Sequence, residues 1–93
     1  MSLGLLKLFI EIPGCNSLKE KRSRLKPLLA RLHREFNVSA AELDFNDSWN
    51  RAVVGCAALS NDPNHTHALL QQVAKWVEQN CPDVQVFDQQ ISL

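Results

Sequence analysis

The chain has no tyrosine, and four phenylalanines and two tryptophans are its whole aromatic complement. Proteins that read single-stranded RNA on a sheet stack bases on aromatics of the two central strands. Here the first strand-like stretch offers only Phe9 and the third offers none, which excludes that mode. Long apolar runs are also missing. None approaches the ~20 residues of a membrane span, and no basic leader with a small-residue cleavage site opens the chain, so neither a span nor a signal peptide is expected. Cysteine is scarce. Cys15, Cys56 and Cys81 are odd in number and widely spaced, which argues for reduced thiols in a cytoplasm rather than a disulfide framework. A surplus of either charge is lacking too, since ten basic residues balance ten acidic ones.

The balance conceals an asymmetry. Residues 1–36 hold eight Lys/Arg against three Asp/Glu, a net +5, and residues 37–93 carry the compensating −5. Such a division points either to internal neutralisation or to an anionic partner for the basic half.

Ninety-three residues suffice for one domain with one modest core, and no linker or repeat divides 1–93. Leu3 to Ile12 alternates as a strand does, with Gly4, Leu6, Leu8, Ile10 and Ile12 on one face and Leu5, Lys7, Phe9 and Glu11 on the other. Pro13-Gly14 ends it. Ser17 followed by Glu20 is a capping box. Leu18, Leu25, Leu28, Leu29, Leu32 and Phe36 then form the apolar stripe of a helix ending at Asn37. Pro27 within it predicts a kink. Val38 to Asp44 and Arg51 to Leu59 are strands joined by a polar turn over 45–50. Asp62-Pro63 opens a second helix, Asn80-Cys81-Pro82 stops it, and Val84 to Leu93 is a last strand. The order β-α-β-β-α-β is the ferredoxin-like α+β arrangement, with both helices on one face of a four-stranded antiparallel sheet. The third strand is apolar on both sides. The bare sheet face, with Leu5, Lys7 and Phe9, is therefore expected to bury itself in a homodimer or against a partner.

Asn-Ser-Leu-Lys-Glu-Lys-Arg at 16–22, Phe-Asn-Val-Ser-Ala-Ala-Glu at 36–42, Trp-Asn-Arg-Ala at 49–52 and Leu-Ser-Asn-Asp at 59–62 together resemble the YlxP-like family of small bacterial proteins. The resemblance spans essentially the whole chain, and the first motif is its most specific part. It implies a ferredoxin-like fold and genes that often neighbour those of transcription elongation and translation initiation factors. It supplies no catalytic residue, and this chain has Asn16 where members often carry His.

The first helix carries the most pointed chemistry. Its N-terminal turn holds Lys19, Lys21 and Arg22, although a helix N-terminus favours acids. Lys19, Arg22, Lys26 and His33 fall on one stripe, while Arg24 and Arg31 have Glu20 and Glu35 as i,i+4 partners. Lys21 points towards the apolar arc. Ser17, Lys19, Lys21, Arg22, Arg24, Lys26 and Arg31 are thus the candidate set for RNA or another phosphate-bearing partner, the loop 13–17 adding backbone N–H groups. An enzyme is not expected. Cys15 before a helix start invites thiol chemistry, but no His is placed as its base. His65 and His67 diverge in a helical turn and lack a cysteine at ligand spacing, and the acids at 44–47 lack an EF-hand pattern, so no metal or other cofactor is expected. Trp49, beside Arg51, reads as packing at the base of the hairpin ahead of a contact with a partner, and Trp76 as core or helix packing.

Overall fold

Alternation in the first stretch becomes β1 (Ser2–Glu11), whose Leu6, Leu8 and Ile10, together with Ile12 just beyond it, are fully buried. In the computed structural model, which describes every residue except Asn46, the chain continues through α1 (Leu18–Glu35), β2 (Ser39–Asp44), β3 (Arg51–Ser60), α2 (Pro63–Asn80) and β4 (Gln85–Ser92). The four strands form one antiparallel sheet in the order β2-β3-β1-β4. This is the ferredoxin-like α+β architecture, with β3 and β1 central. Both expected caps form: Ser17 Oγ accepts from Glu20 N at 3.0 Å and Asp62 Oδ1 from Asn64 N at 2.9 Å. Each satisfies a donor that the helix leaves orphaned.

One core lies between the helices and one face of the sheet. Leu6, Leu8 and Ile10 of β1 and Ala52, Val54 and Cys56 of β3 meet Leu25, Leu28 and Leu32 of α1 and Leu70, Val73 and Val77 of α2. α1 runs through Pro27 as a single element. Proline removes the donor that Ser23 O would use, and Ser23 is exposed, so water can take its place.

α2 crosses β1 closely at Gly4. A Cβ there would sit 2.7 Å from Thr66 Cγ2 and 2.9 Å from Leu70 Cδ1. Thr66 and Leu70 are fully buried and have nowhere to move. Gly4→Ala is expected to destabilise the fold by about 1–3 kcal/mol through overpacking, seen as a lower urea midpoint with an unchanged slope.

Candidate nucleic-acid interface

The cations of α1 divide into two groups by what they touch. Lys21 is buried, 1% exposed. Its ammonium donates to Phe45 O at 2.6 Å and Ser48 O at 2.8 Å, and it stands 2.8 Å from Glu42 Oε2. Two carbonyls accept from the ammonium and the Glu42 carboxylate stands beside it as counter-ion, so Lys21 is a clamp on the β2–β3 hairpin. That removes it from the set of cations open to phosphate: the apolar arc of α1 carries its stem into the core, and the desolvated charge has to be paired there.

Arg24 and Arg31 are also engaged within the chain. Arg24 donates to Pro13 O at 2.7 Å and Asp83 O at 2.8 Å. Arg31 donates to Asn80 O at 3.2 Å and lies 4.8 Å above the Trp76 ring. The helical pairs expected with Glu20 and Glu35 do not form. A guanidinium fork that spans two carbonyls, or one carbonyl and a ring face, is better engaged than in an exposed i,i+4 pair. Trp76 packs as expected, edge-on to Phe36 with 5.8 Å between ring centres.

The loop before α1 offers less to an anion than its sequence suggests. Asn16 N donates to Glu20 Oε2 at 3.0 Å, and Cys15 N donates to Ile12 O. The Glu20 carboxylate occupies the mouth of the helix, and Ser17 Oγ serves as its cap. Cys15 is buried, its thiol donating to Ser17 O at 3.5 Å. Burial pushes the Cys56 thiol up to about 11. Burial raises that of Cys81 as well, against the opposing charge of Arg31.

Arg34, in the last turn, makes an exposed ion pair with Glu35 at 3.8 Å, and Lys19, Arg22 and Lys26 remain. All three are exposed, and among the described residues none makes an ion pair or a side-chain hydrogen bond. His33, on the same stripe, accepts from Ala40 N at 3.0 Å through Nε2. That contact sets the stripe along the outer edge of β2, an edge strand. At the other end of β2, Phe45 and Trp49 are 41% and 56% exposed. Trp49 therefore does not pack at the hairpin base; the ring stands out from a loop whose interior anchor is the Lys21 ammonium. Sequence reasoning singled out Trp49 but missed Phe45, because only a contact across 24 residues shows how the loop is held.

On the opposite side of the sheet, Leu5, Lys7 and Phe9 are half-buried in a central row with Val53, Gly55 and Ala57. The Leu43 side chain lies over Gly55. Leu3, Leu59 and Phe87 are 59%, 66% and 52% exposed. Among the described residues, no three metal-ligating side chains cluster, and no helix is long and apolar enough to cross a membrane.

A ferredoxin-like α+β domain with a cationic helix flank and an apolar sheet face is thus defined by fold and surface. The chain belongs to the family described as "Protein of unknown function (DUF503)", which it matches over residues 3–91. It is similar to "Uncharacterized protein YlxP" of Bacillus subtilis (strain 168), at 40% identity over 67 residues that cover 72% of this chain and 73% of that protein.

Proposed function

We propose that this protein is a non-enzymatic RNA- or ribonucleoprotein-binding protein that holds phosphate groups on the α1 flank. The observation that carries the reading is the division of the cations. Lys21, Arg24 and Arg31 have partners inside the chain, whereas Lys19, Arg22 and Lys26 stand exposed and unpaired along one stripe. Binding through such a stripe follows backbone charge and shape, with weak sequence preference, and weakens as salt releases the counterion advantage. Binding of total cellular RNA to the purified protein, titrated from low to physiological salt, tests it. Salt-sensitive retention supports the reading, and no retention at about 0.1 M salt overturns it.

A second reading, homodimerisation through the bare sheet face, is favoured by Leu3, Leu59 and Phe87, which stand exposed around the central row of Leu5, Lys7 and Phe9. The Leu43 side chain fills the space over Gly55 and continues the apolar surface, which suits face-to-face packing of two sheets. Sedimentation at tens of micromolar is expected to give twice the 10.5 kDa chain mass, and Leu59→Asp is expected to return it to the monomer. A parent chain that sediments as a monomer removes this reading.

A further inference from the structure

We propose that Phe45 and Trp49 are a base-stacking platform, and that the nucleic acid held by α1 is unpaired. The inference rests on the RNA reading above and specifies its ligand.

The hairpin that carries these rings is built to hold them still. Phe45 has a left-handed backbone, φ 61°, a strained choice for a bulky residue that persists only where the surroundings impose it. They do so here. Asp44 Oδ1 accepts from Phe45 N at 2.7 Å, Ser48 N donates to Phe45 O at 3.0 Å, and the Lys21 ammonium takes the carbonyls of Phe45 and Ser48. A buried ion pair adds little net stability over a well-packed apolar equivalent, so its presence fits a positional role. What it positions is a pair of exposed rings. Neither pairs with another aromatic or lies under a cation among the described residues.

The clamp also fixes where the rings stand. Lys21 belongs to the first turns of α1, as Lys19 and Arg22 do, so the loop it grips lies at the end of the helix where the cationic stripe starts. From Lys19 to Lys26 the helix rises about 10 Å, a reach suited to about three phosphates of a stacked strand that rises roughly 3.4 Å per nucleotide along its axis. Cations that track a backbone beside aromatics that take base faces are the two parts of a single-strand site. A duplex presents the phosphates but hides the base faces within its stack, so it can use only the first part.

The test uses the full chain with two probes of equal length, a mixed-sequence single-stranded 12-nucleotide RNA and the corresponding duplex. The parent is expected to prefer the single strand. Phe45→Ala and Trp49→Ala are each expected to weaken single-strand binding by roughly 10-fold. The salt dependence is expected to stay unchanged because the cations are intact, and Trp49→Phe should retain most of the affinity. Parental affinity in both alanine variants, or equal binding of duplex and single strand by the parent, overturns the platform while leaving the RNA reading in place. Failure of the parent to bind either probe overturns both.

Discussion

Charge reversal at Lys19, Arg22 and Lys26 together is expected to abolish RNA retention while leaving the fold intact. The parent, holding about three phosphates, should show a log–log salt slope near −2 on a single strand, so a rise from about 50 to 200 mM salt weakens it roughly 20-fold. Three glutamates replace that attraction by repulsion from the same positions, and the slope vanishes with the binding. Stability changes little because the three side chains are exposed and unpaired. Surface substitutions of this kind stay within about 0.5 kcal/mol each, and Lys19→Glu sets an acid in the first turn, where the helix dipole favours it. Thermal unfolding run beside the binding titration separates the two outcomes. A variant that binds as the parent does would place the phosphate contacts elsewhere or remove them.

Lys21→Met acts in the opposite way, on stability. It leaves Glu42 Oε2 buried with no polar partner, the ammonium being its one close contact among the described residues. Breaking a buried pair from one side costs about 3–5 kcal/mol. The lower end applies here, because the Glu42 side chain is 23% exposed and can be partly hydrated. About 3 kcal/mol corresponds to a fall of roughly 15 °C in Tm for a domain of this size. Adding Glu42→Leu to Lys21→Met is expected to recover most of that loss, since no orphaned charge then remains. Lys21→Arg is not expected to substitute, because a planar fork does not match three oxygens gathered around a point charge. Urea unfolding of the two single variants and the double variant gives the coupling directly. A Lys21→Met protein as stable as the parent would mean that the clamp contributes nothing.

These expectations differ in how far the sequence alone supports them. The strands β1 and β3, the caps at Ser17 and Asp62 and the element order were legible, because the alternation of β1, the short apolar run of β3 and the caps are local signals written within a few residues. The family was legible for a similar reason, its first motif lying in one continuous stretch. The division of the cations was only half legible. The helical wheel sets Lys21 apart from Lys19, Arg22 and Lys26, yet its acceptors lie 24 and 27 residues away. Arg24 finds Asp83 O across 59 residues, and Arg31 finds Asn80 O across 49. Local i,i+4 reasoning offered glutamates instead. Trp49 was misread for the same reason: whether a hairpin ring packs or projects depends on the backbone path of the loop, which a distant ammonium sets.

The contact of His33 with Ala40 bears on how copies of this chain can meet. A sheet edge is a template for another strand, and two chains that extend each other edge to edge can go on doing so without limit. At β2 the imidazole already occupies an outward N–H, and the row from Lys19 to Lys26 runs alongside it. A second copy arriving at that edge with its own β2 would have to displace the ring and bring like charges together. Open-ended growth through β2 is therefore disfavoured, whereas the homodimer proposed for the sheet face would close after one partner by a two-fold contact.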